Sequence, residues 1–522
     1  MDGVIIQMLL ISLMVSLLFI IKPKWSSLIL LLTALVLCAK EVFLGQSQLS
    51  GYIMSNSDIY AMTGSFTNPG PYGGFIAVCM SILAAFMIKK RGELKNCLLT
   101  KILSWIICIV LFAAIATLPV SQSRSAMLGF CSSMLLLGAG TESIRKRAKP
   151  ILKKYGLLIL IGVAVLGTAG YLYKKQSADG RLFMDKMCVK AMFHNGLKGA
   201  GIGRFGGAYA ETQADYFYKT IQEKGADDLD WSVINEHERI TADCPSNPFN
   251  EYLLIGVETG LLGMILFIGV IVVSIVISYR QGTVWCYGMT ALAVFALFSY
   301  PLHLVQFRIM FAVLLAACLA DRKRMVVKPV IVSMLLLMLS VVAIIRYPEI
   351  KQKKQHEITR IMAEIMHGKK QYDKAVEYCD SIFPMYSNDY RFLFIYGQSL
   401  NMTGNYEKSD SVLKMGTEIS SDPMFWNVLG NNSLARGMYR EAEEYYKRAF
   451  YMVPNRLYPL YLLAKLYHAE GDVDAFKKME NKVQSFKSKV ELLNAKSLRS
   501  VIQEISESFN EPDDTNLITN NL

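Results

Sequence analysis

Apolar runs of about seventeen residues or more recur through the first 350 positions of this chain, and they constrain it more than any motif does. A run of that length crosses a hydrocarbon core as a helix. Inside lipid only helices and closed barrels satisfy their own backbone. Ten runs are legible, at 3–21, 26–44, 71–88, 102–118, 124–140, 156–173, 251–278, 284–302, 304–320 and 329–347. Soluble proteins carry about 25% charged residues; this chain carries 19%, and the deficit falls in this part. The first run lacks the pattern of a cleaved signal peptide. Met1-Asp2-Gly3 supplies no basic start, and no small-x-small site precedes Lys22.

Lysine and arginine orient the runs, because cytoplasmic connections hold the excess of both. The connections after runs one, three, five, seven and nine carry Lys22 and Lys24, then Lys89 to Lys101, Arg145 to Lys154, Arg280, and Arg322 to Lys328. The connection 45–70 carries neither residue, and 118–124 carries Arg124 alone. The alternation predicts a multi-pass membrane protein whose odd connections are cytoplasmic. The loop 174–250 and everything after Tyr347 then lie on the outside. The net charge of +12 is mostly this topological signal, so it calls for no nucleic-acid partner. Cys188 and Cys244 share the large loop, either as a disulfide or as two free thiols. No spacing of Cys and His suits a metal, and no cofactor is implied.

The polar residues that look out of place gather at the outer ends of runs. Asn68-Pro69-Gly70 is turn chemistry before a helix start, and Asn68 either closes that turn or reaches a ligand. Arg124 opens run five directly; it snorkels to headgroups, or its planar fork takes a phosphate. In the large loop, Gly201, Gly203 and Gly206 match GxGxxG as a string, without the strand that a dinucleotide site requires. Glycines around Arg204 still let backbone amides approach an anion. Arg181 precedes them, and Tyr216, Tyr218, Trp231 and His237 follow in a segment that either lines a sugar site or anchors at the interface. Run seven opens with Asn250 and Glu251 and continues to Glu258, which reads better as a helix tether than as a base. Gly260 and Gly263 allow another helix to approach. His303 and Arg308 sit at the outer turn between runs eight and nine.

After Tyr347 the composition becomes that of a soluble helical domain. Gly404-Asn405-Tyr406, Gly437-Met438-Tyr439 and Gly471-Asp472-Val473 recur at 33–34 residues, with an earlier copy at Gln371-Tyr372. Pro423 and Pro454 close two units. Period and pattern resemble the tetratricopeptide repeat, whose stacked helix pairs leave a concave face for a partner. The predicted fold is all-α, a polytopic bundle of about ten spans followed by a helical solenoid. Its domains are a membrane domain over 1–347 with the loop 174–250, a repeat domain over 348–500, and a polar, disordered tail over 501–522.

In their order and sidedness the outer-face motifs resemble the O-antigen ligase and polymerase superfamily. They are Gly64-Ser65-Phe66-x-Asn68-Pro69, Ser123-Arg124-Ser125-Ala126, Gly201-x-Gly203-x-Phe205, and Asn250-Glu251-Tyr252-Leu253 with Glu258 to Gly263. The resemblance covers about residues 60 to 320. It implies a bacterial inner-membrane protein, with the loop 174–250 and the C-terminal domain in the periplasm, that transfers a glycan from undecaprenyl pyrophosphate to lipid A core (ligases), to a growing glycan (polymerases), or to a protein Ser or Thr (protein O-oligosaccharyltransferases). By position, Arg124 and Arg204 match the arginines that hold the donor pyrophosphate; Asn68, Asn250 and Arg308, on the same side, are candidates to line the substrate cavity. The family's histidine before the asparagine is Phe249 here, and phenylalanine accepts no proton. Glu251, His237 and His303 are the residues available in its place; otherwise the proton leaves to solvent or donor phosphate, or the chain is a non-catalytic scaffold whose repeat domain recruits protein partners.

Overall fold

The computed structural model describes residues 23–89, 98–173, 175–320, 352, 356–487 and 493–508. Every regular element among them is helical. The predicted runs at 3–21 and 329–347 lie outside the described residues. Backbone contacts divide the chain into two units, one of Met1–Lys174, Pro248–Gly256 and Leu262–Gln352, the other of Lys175–Asn247, Val257–Leu261 and Lys353–Leu522.

The first unit is built from α1 (Pro23–Leu49), α2 (Pro69–Lys89), α3 (Leu98–Val120), α4 (Arg124–Gly140), α5 (Glu142–Tyr173), most of α9 (Glu251–Arg280), α10 (Trp285–Ala296) and α11 (Val305–Leu319). Four helices, α1, α2, α3 and α9, are long and apolar enough to cross a membrane; α4 and the first half of α5 form a pair bent by 102°. The helices α10 and α11, expected as spans of full length, have 12 and 15 residues.

Helix α2 is the centre of this unit. Its residues from Pro71 to Leu83 are all buried, as a helix apolar on every side must be. Small residues let its neighbours close in. A Cβ on Gly73 would meet Ser123 at 2.7 Å, and one on Gly129 of α4 would meet the Ala291 carbonyl of α10 at 2.6 Å. At one end Phe75, Phe66, Phe295 and Phe307 interlock, with ring centres 5.6–6.0 Å apart. That aromatic plug joins α2, α10, α11 and the turn before α2.

The second unit joins the large loop to the C-terminal helices. The loop folds as α6 (Lys175–His194), α7 (Phe205–Glu223) and the short α8 (Glu236–Thr241). The tail forms α12 over 356–368, then α13 (Tyr372–Tyr386), α14 (Tyr390–Met402), α15 (Tyr406–Thr417), α16 (Met424–Ala435), α17 (Tyr439–Met452), α18 (Tyr458–Glu470), α19 (Val473–Ser485) and α20 (Leu493–Ser508). Helix α20 runs into the stretch expected to be a disordered tail, because Ile502 is fully buried. The recurring glycines have a conformational cause: Gly404, Gly437 and Gly471 have φ of 79°, 74° and 80°, the left-handed turn that ends one helix before the next begins.

The loop lies against the tail helices through polar contacts. The Arg448 guanidinium donates to Asp215 at 2.7 Å, and Lys447 pairs with Asp228 at 2.6 Å. Asn455 donates to the Arg239 and Ala242 carbonyls at 2.8 and 2.7 Å. Gly206 and Gly207 bring the start of α7 onto the backbone of Glu418 and Ile419, so closely that a Cβ on Gly207 would overlap the Glu418 carbonyl. Cys188 and Cys244 are both free thiols; Cys188 is buried in α6, while the Cys244 sulfur accepts from Arg456 at 2.9 Å.

Candidate functional site

In the first unit the sequence-expected residues lie where helices start. The turn before α2 is held from α1. Glu41, only 2% exposed, accepts from the Ser65 amide at 2.9 Å and the Ser65 hydroxyl at 2.7 Å. Gln48 accepts from the Thr63 and Gly64 amides at 2.9 and 2.7 Å and donates to the Gly64 carbonyl at 2.9 Å. Gly64 has φ of 57°, and a Cβ there would meet the Glu41 carboxylate at 2.5 Å. The Gly64-Ser65 half of the motif is therefore a scaffold. Asn68 uses its side-chain oxygen to accept from the Gly70 amide at 2.8 Å, closing the first turn of α2.

Arg124 is the first residue of α4. The preceding Ser123 makes no side-chain cap, although serine is a preferred residue there. Its hydroxyl donates instead to the Gly70 carbonyl at 3.1 Å, tying the Arg124 turn to the Asn68 turn. The first-turn amides of α4 thus lack the usual hydroxyl. Amides of that kind, beside a guanidinium, form a positively polarised pole that suits an anion.

Asn250 caps α9, accepting from the Tyr252 and Leu253 amides at 3.1 and 3.2 Å. It also borders an apolar cleft of about 420 Å³ that runs between α9 and α10 along Ile268, Ile271, Ile275 and Leu297. Glu251 is 2% exposed, withdrawn from the surface. Phe249 stands edge-on to Tyr300, centroids 5.5 Å apart, and Tyr300 to His303 at 6.4 Å. One tyrosine ring thus bridges Phe249 to His303, which lies in the 3-10 turn Pro301–His303. His303 keeps solvent access, yet desolvation by the surrounding chain, and then the nearby Arg308 charge, lower its pKa from the usual histidine value. Arg308 lies in the first turns of α11, where its Nε is buried with no hydrogen-bond partner among the described residues.

Arg204 and His237 belong to the second unit. Arg204 is the N-cap of α7 and makes no side-chain cap; its guanidinium pairs with Glu418 at 2.8 Å. The glycines before it follow the course of a break in α9. At Gly260 the helix departs to φ 77° and ψ 177°, which frees carbonyls of the preceding turn. The Val257 carbonyl accepts from the Ala200 amide at 2.8 Å, and the Glu258 carbonyl from Gly201 at 2.9 Å. The Glu258 carboxylate accepts from the Gly203 amide at 3.0 Å. Glu258 is thus a tether, from its helix to the glycine loop, and its charge stands at the start of α7, where an anion is stabilised.

His237 follows the N-cap Asn235 of α8 and its Nε2 lies 3.0 Å from the Asp179 carboxylate. Arg181 is part of α6; nearby, burial raises the Asp185 carboxyl to about 6, against the lowering effect of Arg181. A second cleft, of about 240 Å³, lies between α6 and α7 and is lined by Lys190, His194, Glu211, Asp215, Tyr216 and Lys219 among others. No group of three or more His, Cys, Asp or Glu able to hold a metal occurs among the described residues.

The segment that carries both arginines and the α9 entrance has a counterpart among known families. Residues 109–268 match the O-antigen ligase family model. The match includes Arg124, Arg204, Phe249, Asn250 and Glu258, and leaves out Asn68, His303 and Arg308. No curated protein matches the chain. Together with the apolar helices, the family match supports an integral membrane protein with a glycan-transfer function of ligase type, acting on a lipid-linked glycan and an acceptor.

Proposed function

We propose that this chain transfers a glycan from an undecaprenyl-pyrophosphate-linked donor to an acceptor hydroxyl at the periplasmic face of a bacterial inner membrane, as an O-antigen ligase acting on lipid A core. One observation carries this reading. Both arginines that the family resemblance assigns to the pyrophosphate stand at helix N-termini, Arg124 opening α4 and Arg204 preceding α7. The α4 pole with its guanidinium, joined by the Arg204 fork when it turns from Glu418, is suited to a group whose negative charge grows as it leaves. The apolar cleft beside Asn250 suits part of an isoprenoid chain.

In the proposed step the acceptor oxygen attacks the anomeric carbon from the face opposite the pyrophosphate. The carbon–oxygen bond to the phosphate breaks, and undecaprenyl pyrophosphate leaves with its electron pair. The hydroxyl proton passes to His303. Of the three candidate bases, His303 is the one linked by an aromatic bridge to Phe249, and its lowered pKa keeps it neutral and able to accept a proton near pH 7. Glu251 is buried, and His237 is engaged with Asp179.

The wider reading keeps ten spans with the loop 174–250 and the C-terminal domain in the periplasm. The helices over 348–500 are read as a tetratricopeptide-type solenoid whose recognised partner is this chain's own loop, at Asp215, Asp228 and the Gly206-Gly207 pair. Polymerase or protein O-oligosaccharyltransferase activity would use the same donor site and differ in acceptor. A deletion strain separates them. It leaves an unattached polymer on the lipid carrier for a ligase, a single unpolymerised unit on lipid A for a polymerase, and an unglycosylated protein for the third. Surface glycan unchanged in both Arg124→Ala and Arg204→Ala strains would overturn the transferase reading in favour of a non-catalytic scaffold.

A further inference from the structure

The glycine loop that carries Arg204 also carries large apolar side chains that no described residue buries. Leu197 is 72% exposed and Ile202 is 85% exposed, and Phe193, at the end of α6, is 68% exposed. Three such residues within ten positions, beside glycines 196, 199, 201 and 203, form an apolar tip. Clustered exposed apolar surface of this kind marks a binding face.

The place of this tip along the membrane normal follows from the helix to which it is bonded. The loop amides of Ala200 and Gly201 donate to the Val257 and Glu258 carbonyls, and the Leu197 carbonyl packs against Gly260. From Leu261 to Arg280, α9 has no charged residue until Arg280 itself. That stretch, at about 1.5 Å per residue, measures about 30 Å, the thickness of a hydrocarbon core. With Arg280 at one face of the bilayer, Gly260 reaches the other. The break at Gly260 therefore coincides with the end of the apolar stretch, and the loop bonded to it is at the same depth.

We propose that Leu197, Ile202 and Phe193 insert into the acyl region of the leaflet at the Gly260 end of α9, making the glycine loop a membrane-embedded tip. The occupant of the apolar face is bilayer lipid. The glycines serve this placement: backbone in apolar surroundings must be satisfied by protein, and the positive φ at Gly199 and Gly201 lets their amides and that of Ala200 turn toward the broken helix. Arg204, two residues after Ile202, is held at the depth of lipid phosphates. This inference rests on the geometry of the loop and α9 and does not require the glycan-transfer reading.

The test uses full-length protein in phosphatidylcholine nanodiscs without donor. Leu197→Trp and Ile202→Trp are each compared with the parent, whose five tryptophans supply the emission to subtract; Val473→Trp, at the exposed start of α19, is the control. The added emission at positions 197 and 202 is expected to fall by at least half in nanodiscs made with acyl-brominated phosphatidylcholine, and to resist aqueous acrylamide, while that at 473 behaves the opposite way. Added emission at both loop positions that bromolipid leaves unquenched overturns the proposal. If acrylamide then quenches it, the tip stands in water; if acrylamide does not, protein, such as a second copy, covers it.

Discussion

Replacing Gly260 by alanine perturbs the break in α9 and nothing else by design. At φ 77° and ψ 177° the residue occupies a region essentially confined to glycine, and an alanine there costs about 1–3 kcal/mol in backbone strain. The added methyl would also overlap the Leu197 carbonyl. Relief requires the glycine loop to move away, which breaks the Ala200 bond to Val257 and the Gly201 bond to Glu258. Each contributes about 0.5–1.5 kcal/mol, so the total is roughly 2–6 kcal/mol. For a unit of this size that is a fall of about 10 °C in Tm. A fluorogenic thiol dye reads the transition in detergent, because Cys188 is a buried free thiol in the same unit. Gly269→Ala is the control: it has open space around it, and a helical glycine replaced by alanine gains up to about 1 kcal/mol. If Gly260→Ala melts with the parent and transfers glycan at the parental rate, the break is not held by the loop and the argument fails.

Three further outcomes follow from particular contacts. If His303 is the base, kcat/KM falls as pH drops through a pKa below the ordinary histidine value; His303→Gln removes that acid limb, and Arg308→Gln, which deletes the charge that helps lower the pKa, moves the limb upward. Lys370 has φ of 60°, which costs a non-glycine residue about 1–2 kcal/mol, so Lys370→Gly, less the entropy that glycine adds to the unfolded chain, raises Tm by roughly 1–3 °C. Asn455→Ala leaves the Arg239 and Ala242 carbonyls without their donor; a loss of about 2–4 kcal/mol accelerates amide exchange across 236–244 relative to the parent.

Local signals were legible in the sequence. Helices begin at Pro69, Arg124 and Glu251, where turn residues or polar residues meet an apolar run. The glycines at 404, 437 and 471 were readable because a left-handed turn has a local residue preference. Glu258 was readable as a tether, since a carboxylate in an apolar helix needs a partner. What the sequence hid is non-local. Gly260 looked like a site of close helix approach and is a break sealed by a loop about sixty residues away; only the backbone of Leu197 to Gly201 reveals why it must be glycine. Glu41 and Gln48 carry no motif, and their role depends on a turn that they reach from α1. The expected full-length spans at 284–302 and 304–320 are shorter helices, since Ser299-Tyr300-Pro301 breaks the apolar run into a 3-10 turn. Nothing local to Ser123 shows that its hydroxyl bonds the Gly70 carbonyl and ties two helix starts together.

The central claim is that Arg124 and Arg204 hold the pyrophosphate of the lipid-linked donor. Binding of undecaprenyl pyrophosphate to the purified full-length protein, measured for the parent and for Arg124→Ala, Arg204→Ala and the two lysine replacements, tests it most directly. The account predicts affinity at least tenfold weaker in each alanine variant and partial recovery with lysine, which keeps the charge but lacks the planar fork. Affinity unchanged in both alanine variants, in protein with parental Tm, would contradict it.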